Sequence, residues 1–169
     1  VLKAGGKTAD AEKFTAGWLR DNPKDPAMRM YLAQEAITTK DMAGAERLYQ
    51  SVVQIQPNNA VAYNNLAWVT GQLKKDGAIA YAEKALALVP GQPAYMDTLA
   101  MLLLDKNDLA KALEWQIKAV GLQPDNSQFK LNLARIHIKS GNKDQARKEL
   151  DELAKLGDKF GGQAQVAEL

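Results

Sequence analysis

The sequence predicts an all-helical solenoid in which pairs of antiparallel helices stack on one another along the chain. Three markers share one period of 33 or 34 residues. Prolines stand at Pro23, Pro57, Pro90 and Pro124, an alanine precedes each by twelve residues at Ala11, Ala45, Ala78 and Ala112, and a Leu-Ala pair recurs at 32–33, 66–67, 99–100 and 133–134. A period of this length predicts stacked units that bury a continuous core between neighbours.

Each unit divides into two helices joined by a short turn. Apolar residues recur every three or four positions along 93–105 and again along 109–122, which is the spacing of one helix face. Glycine or asparagine in the turn tolerates the left-handed conformation that ends a helix, and the proline ends the second helix. The pattern predicts nine full helices and a short tenth, at 7–21, 26–39, 42–55, 60–71, 75–88, 93–105, 109–122, 127–140, 143–157 and 162–169.

Four full units and two partial ones make up a single array over 1–169. The full units are 26–59, 60–92, 93–126 and 127–160. Residues 1–25 match only the second helix of a unit, and 161–169 begin a further or capping helix. Because solenoids normally end in polar capping helices, we expect a fragment of a longer array that self-associates through its truncated ends, with Phe14 and Trp18 poorly covered.

The recurring alanines have a packing reason. Small residues at facing positions let two antiparallel helices approach closely, and larger side chains then fill the surrounding gaps. We therefore expect Ala67, Ala100, Ala112 and Ala134 to be buried. The expected gap-filling residues are Tyr49, Tyr63, Trp68 and Leu150.

Composition excludes several classes of function. The chain has no cysteine and a single histidine, His137, so it holds neither a disulfide framework nor a multi-histidine metal site. Its 22 basic and 20 acidic residues give a net charge of +2, which is too balanced to indicate a nucleic-acid partner. The longest purely apolar run is 99–104, so no segment is expected to span a membrane.

No pattern of residues indicates catalysis. The Gly161-Gly162 pair lacks the Lys-Ser/Thr that follows in a phosphate-binding loop. His137 stands four residues after Leu133 on the inward stripe of its helix, so we predict a packed core histidine rather than a general base. We expect no enzyme activity, no cofactor and no metal.

The markers resemble the tetratricopeptide repeat, a helix–turn–helix unit of 34 residues. The resemblance rests on the Leu-Ala pairs, the glycine or asparagine turn, the alanine that opens the second helix and the closing proline, and the stretch 63–68 is close to the family pattern. It covers nearly the whole chain. It implies a right-handed superhelix of helix pairs, with a concave groove that binds peptides or proteins.

Two shorter phrases, 94–100 and 108–113, resemble bacterial arrays of this family. They are similar to the tetratricopeptide lipoproteins that accompany the exosortase (PEP-CTERM) sorting and exopolysaccharide systems. This narrower resemblance implies an envelope protein of a Gram-negative bacterium, in the periplasm or at the outer membrane, whose lipidated start lies upstream. The sequence leaves a cytoplasmic location open.

The resemblance also implies that the first helix of each unit lines the concave groove. The candidate groove residues are Met30, Gln34 and Ile37; Asn64, Asn65, Trp68 and Gln72; Asp97, Met101, Leu104 and Asp105; and Leu131, Asn132, Arg135, Ile138 and Lys139. Asn65 and Asn132 each precede a Leu-Ala pair by one residue, where an asparagine of this family often holds the backbone of a bound peptide. A carboxamide suits that role because it offers both a donor and an acceptor.

Each of these assignments has an alternative. Asn65 and Asn132 are equally well explained by contacts within their own helices or turns. The apolar candidates Met30, Trp68, Met101 and Leu104 also fit the core between helices. Arg135 and Lys139 form either a local site for an acidic segment or a solvated helix face.

Three functions fit the sequence. The first is a scaffold that binds a protein or peptide segment in the concave groove. The second is a structural array that multimerises or spaces other domains. The third is the repeat region of an enzyme whose catalytic domain lies elsewhere. Apolar residues in the groove favour the first function, whereas a uniformly charged groove would favour the second.

Overall fold

The computed structural model describes residues 8–169 as ten α-helices and one short 3-10 turn, and that part of the chain contains no β-strand. The predicted all-helical fold is confirmed. The predicted helix start at residue 7 and the rest of 1–7 lie outside the described residues. The helices are α1 (Thr8–Asp21), α2 (Pro26–Thr38), α3 (Met42–Ile55), α4 (Ala60–Gln72), α5 (Ala78–Leu88), α6 (Pro93–Asp105), α7 (Leu109–Leu122), α8 (Ser127–Lys139), α9 (Lys143–Ala154) and α10 (Gln163–Glu168).

Two boundaries differ from the prediction by three residues. Helix α5 begins at Ala78 rather than at 75, because Lys74 and Gly77 both adopt positive φ angles, of 55° and 91°. Helix α9 ends at Ala154 rather than at 157, and a 3-10 turn follows over Gly157–Lys159. Gly157 has a φ of 51°, so it cannot continue an α-helix.

The turn inside each unit repeats one hydrogen-bonding motif. A residue in the left-handed conformation follows the first helix, and the next N–H bonds back to the carbonyl five residues earlier, as in a Schellman motif. The four left-handed residues are Lys40, Lys74, Asn107 and Gly141. The expectation of glycine or asparagine holds for only two of them. In the other two turns, the bonds from Asp41 N to Ala36 O and from Lys75 N to Thr70 O stabilise a lysine in that conformation.

Side-chain caps and prolines start most of the helices. Asp25, Asp41, Asn59, Asp108 and Asn126 each accept a hydrogen bond from a backbone N–H two or three residues further on. Pro26 and Pro93 occupy the first turn of α2 and α6, where a missing N–H is harmless. Asp41 and Asp108 act on both sides of their turns, because each also donates its N–H to a carbonyl of the preceding helix.

The core is built on the recurring alanines, as predicted. Ala67, Ala100, Ala112 and Ala134 have no accessible surface. Tyr49 is enclosed with them, and Tyr63 and Leu150 are partly buried. The expectation that Trp68 fills a gap in the core is wrong, because 39% of Trp68 is exposed.

First helices of successive units stand side by side, with α4 against α6 and α6 against α8. Each second helix packs between two first helices, since α3 contacts both α2 and α4 and α7 contacts both α6 and α8. The first helices thus present their outer faces together, and this shared face carries several of the residues that the sequence assigned to the groove.

Two aromatic side chains of helix α1 are exposed to solvent. Phe14 is 54% exposed and Trp18 is 40% exposed, so both are less covered than Tyr49 or Leu150, as predicted. The indole Nε1 of Trp18 donates to Asp25 Oδ2 at 2.6 Å, which ties α1 to the cap of α2. Self-association through this face stays a prediction. None of the described helices has the length and apolar character needed to cross a membrane.

Candidate functional site

A cleft of about 460 Å³ opens on the face shared by α4, α6 and α8. Its lining residues are Trp68, Gln72, Asp97, Thr98, Met101, Leu102, Asp105, Gln128, Asn132 and Arg135. We call this the α4–α6–α8 cleft. It brings together seven of the predicted groove residues, namely Trp68, Gln72, Asp97, Met101, Asp105, Asn132 and Arg135.

The floor of the cleft is a buried polar network centred on Asp97. Asp97 Oδ1 accepts hydrogen bonds from Gln116 Nε2 at 2.6 Å and from Asn132 Nδ2 at 2.8 Å. Gln116 lies on α7, and its Nε2 also donates to the backbone oxygen of Phe129 at 2.9 Å. The network therefore joins α6 and α7 of the third unit to α8 of the fourth.

Burial raises the pKa of the Asp97 carboxyl above its usual range, and the two amide hydrogen bonds and the charge of Arg135 only partly oppose that shift. Among the described residues, the protein donates no hydrogen bond to the second oxygen, Oδ2. Asp97 is thus a poorly solvated carboxylate with one satisfied oxygen and one open acceptor at the surface of the cleft.

Asn132 does not have the free amide that its position in the sequence predicts. Only 5% of it is exposed. Its Nδ2 donates to Asp97, and its Oδ1 accepts from Gln128 and Arg135 of the same helix at 3.2 and 3.3 Å. The contacts within its own helix, which were the alternative, account for the oxygen, while the nitrogen crosses to α6.

The other two asparagines also face protein. Asn65 Nδ2 donates to the phenol oxygen of Tyr49 at 3.3 Å, and burial raises the pKa of Tyr49. Asn64 is partly buried, and its Oδ1 is enclosed without a hydrogen-bond partner in the described part of the chain. Neither residue lines the α4–α6–α8 cleft. A continuous asparagine row that holds a peptide is therefore not formed.

Several apolar candidates belong to the core instead of the groove. Leu104 and Leu131 are buried, with 7% and 0% of their surface exposed. Met30 is partly buried, packs against the core cluster of the first units and does not line the cleft, so its place in the groove stays a prediction. Met101 is partly buried but also lines the cleft, and Gln34 is exposed on α2 outside it.

The two basic candidates are held by acceptors within the protein. Arg135 Nη2 donates to Gln165 Oε1 of α10 at 2.8 Å, in addition to the bond from its Nη1 to Asn132. Lys139 Nζ donates to the backbone oxygen of Leu104 at 2.7 Å, at the carboxyl end of α6, where a cation is favourable. Lys139 does not line the cleft.

The sequence reasoning missed Gln116, which lies on a second helix and is fully buried. One signal was available. Gln116 stands 67 residues after Tyr49, which is two repeats, so a glutamine occupies the place of an aromatic core residue. A long amide at such a core position indicates a buried polar partner.

His137 is packed in the core, as predicted. It is buried, its Nδ1 lies 3.4 Å from Asn142 Nδ2, and burial lowers its pKa. Within residues 8–169, no group of three or more histidine, cysteine, aspartate or glutamate residues is placed to hold a metal ion. The arrangement of the cleft supports binding, and its lining residues offer no nucleophile paired with a base.

Comparisons with known proteins agree with this architecture. Models of the tetratricopeptide repeat match residues 2–60, 94–126 and 117–169. The protein O-mannosyl-transferase TMTC1 of Mus musculus is 29% identical over 139 residues, which is 79% of this chain and 15% of that protein. The chain thus spans a small part of the length of this relative.

Solved structures show the same fold. MamA from Desulfovibrio magneticus RS-1 superposes with a TM-score of 0.80 at 19% identity, covering 95% of this chain and 91% of that one. TTC0263, a thermophilic tetratricopeptide protein of Thermus thermophilus, gives a TM-score of 0.76 at 18% identity, covering 99% and 92%. With its repeated helix pairs, its alanine core and these matches, the chain belongs to the tetratricopeptide-repeat family.

Proposed function

We propose that this chain is a non-enzymatic scaffold that binds an extended protein segment along its first helices, with the α4–α6–α8 cleft as the principal site. The observation that supports this function is Trp68, a large aromatic side chain that is 39% exposed beside Met101 in a concave surface. Exposed tryptophan and methionine in a depression are typical anchors of protein recognition.

The amides that hold the partner's backbone differ from those that the sequence suggested. Asn65 and Asn132 already bond to other side chains. Gln72 and Gln128 are exposed on the cleft wall, on α4 and α8. Gln128 Nε2 donates to Asn132, so Gln128 offers a bound segment its carboxamide oxygen, and Gln72 offers its whole amide. An extended segment across α4, α6 and α8 would then meet apolar anchors with an amide on either side.

A display library of random peptides, selected against the purified chain, tests this function. Peptides recovered from the selection are expected to lose at least about 10-fold in affinity to the Trp68→Ala variant. Ile117→Ala is the matched control, because Ile117 is also an exposed apolar residue, on the second helix α7, and it does not line the cleft. Equal losses in both variants would show that binding is not centred on the cleft.

The bacterial system in which the chain acts and its alternative role as a multimerising array each have their own support. Service in a bacterial envelope sorting or exopolysaccharide system is supported by the two sequence phrases 94–100 and 108–113 alone. A multimerising or spacing array is the second candidate function, and the exposed aromatic pair Phe14 and Trp18 on α1 favours it. Sedimentation of the chain at increasing concentration distinguishes a self-associating array from a monomeric scaffold.

A further inference from the structure

We propose that the α4–α6–α8 cleft selects a basic side chain, arginine or lysine, on the bound segment, and that Asp97 pairs with it. This inference rests on the proposed function and adds the chemistry of the partner. It follows from the hydrogen bonds of the cleft. Arg135 already donates to two amides of the protein, whereas Asp97 keeps one carboxylate oxygen to which none of the described residues donates.

The ionisable groups that line the cleft are Asp97, Asp105 and Arg135. Arg135 bonds to Asn132 and to Gln165, which directs its guanidinium toward α10 and the wall of the cleft. The nearby Lys139 is held by the Leu104 carbonyl. With both carboxyls ionised, the two aspartates and one arginine give the lining residues a net charge of −1, which favours a cation over an acidic segment.

Asp97 is the stronger of the two carboxylates as a recognition group. Its Oδ1 is fixed by two amide donors, so the open Oδ2 is held in place before a partner arrives. Burial makes its charge costly to keep. A cation at Oδ2 would offset that cost and form a charge-assisted hydrogen bond.

Trp68 and Met101 complete a site for a long basic side chain. Both line the same cleft as Asp97. The apolar stem of arginine or lysine packs on such surfaces, and the cationic head is attracted to an indole face. The three features together form a pocket for an amphipathic cation, which a neutral or acidic side chain would fill less well.

The chain carries its own reporters for a test. Its three tryptophans lie in different surroundings, with Trp18 on α1 bonded to Asp25, Trp68 in the cleft, and Trp115 beside Lys118 on α7. In a chain labelled with nitrogen-15, the three indole N–H signals can be followed separately. The probes are three blocked pentapeptides, Ac-Ala-Ala-X-Ala-Ala-NH2, in which X is arginine, neutral citrulline or glutamate.

We expect the arginine peptide to shift the Trp68 signal while leaving the other two unchanged, with citrulline at least about 5-fold weaker and glutamate weaker still. Asp97→Asn should remove the preference for arginine over citrulline. Asp151→Asn, an exposed carboxylate change on α9, should keep it. Free Nα-acetyl-arginine amide tests whether the side chain alone suffices, and we expect weaker binding than the peptide gives.

The proposal is overturned if citrulline and arginine peptides bind equally, if Asp97→Asn retains the preference, or if the arginine peptide shifts Trp18 or Trp115 instead of Trp68. These results are separate from those that test the scaffold function. Selected peptides that bind through Trp68 but contain no basic residue would leave the scaffold intact and refute only the basic-side-chain preference.

Discussion

Two junctions between units occupy equivalent places in the array and use opposite chemistry. At the junction of the first and second units, the phenol of Tyr49 accepts one hydrogen bond from the amide of Asn65. Met30 packs against the core cluster that contains Tyr49. At the junction of the third and fourth units, the residues 67 positions later are Asp97, Gln116 and Asn132, and they form a buried network around a carboxylate. The asparagine is the same in both, but its partner is a phenol in one and a carboxylate in the other.

The middle junction has neither arrangement. Asn64 stands one repeat before Asp97, and its enclosed Oδ1 has no hydrogen-bond partner in the described part of the chain. Thr98 donates to Ala94 within its own helix. The comparison teaches that the repeat determines where neighbouring units touch. One or two substitutions then decide whether the contact is a neutral hydrogen bond, an amide oxygen without a partner, or a network around a carboxylate.

The largest effect on this comparison should come from Gln116→Ala. The change removes both hydrogen bonds made by Gln116 Nε2, leaving Asp97 with one donor fewer and the Phe129 carbonyl with only its bond within α8, and it leaves a cavity where a fully buried side chain stood. We expect a loss of about 3 kcal/mol in the free energy of unfolding, measured by denaturant titration. Gln54→Ala is the control, because Gln54 is an exposed glutamine on α3, and it should change stability by less than about 0.5 kcal/mol.

Converting the junction of the third and fourth units into that of the first and second should give a smaller, non-additive effect. Asp97→Met and Gln116→Tyr each leave an unmatched partner, but together they reproduce the Met30 and Tyr49 pair opposite Asn132. We expect the double variant to be more stable than the sum of the two single changes by about 1–3 kcal/mol. Strict additivity would show that the two junctions are not equivalent.

The smallest effect concerns pH. The native pKa of Asp97 lies above its unfolded value, so the native state binds the extra proton, and the contribution of Asp97 to stability falls as pH rises from the ordinary carboxyl range through the raised pKa. His137 acts in the opposite direction, because burial lowers its pKa and the unfolded state then binds more protons below its usual range.

The difference between the unfolding free energies of the unchanged chain and Asp97→Asn therefore isolates the carboxyl, because the His137 contribution cancels. We expect the unchanged chain to lose stability relative to Asp97→Asn as pH rises through this interval. A difference that stays constant, or that grows in favour of the unchanged chain, would show that hydrogen bonding outweighs burial at Asp97.

Most of the fold could be predicted from the sequence, because the markers that define it are local. The four prolines of the repeat each stand two residues after the end of a second helix, and alanines at a fixed period place the close contacts between helices. The three-residue error at the start of α5 has a different origin. Lys74 adopts a left-handed conformation that its residue type disfavours, and the turn's hydrogen bonds to α4 stabilise it.

The candidate site was predictable in location but not in detail. Helical spacing brought Trp68, Met101 and Arg135 to one surface, since residues at equivalent repeat positions share a face. Spacing does not reveal which amides are already occupied. The sequence predicts that Asn132 binds a ligand, but its amide nitrogen donates to Asp97. Gln116, which approaches from another helix, donates to the same oxygen, and helical spacing within α8 cannot reveal a bond between different helices.

The shortened second unit has a consequence for how the array opens. Helix α5 has 11 residues, against 14 in both α3 and α7, so it is shorter by roughly 4.5 Å at 1.5 Å per residue. Its first turn begins after Gly77, with no side-chain cap on its free N–H groups. Local fraying of a helix starts where amides are uncapped and packing is brief. We therefore expect thermal fluctuations to open the second unit more readily than the first or the third, whose second helices are three residues longer and are capped by Asp41 and Asp108.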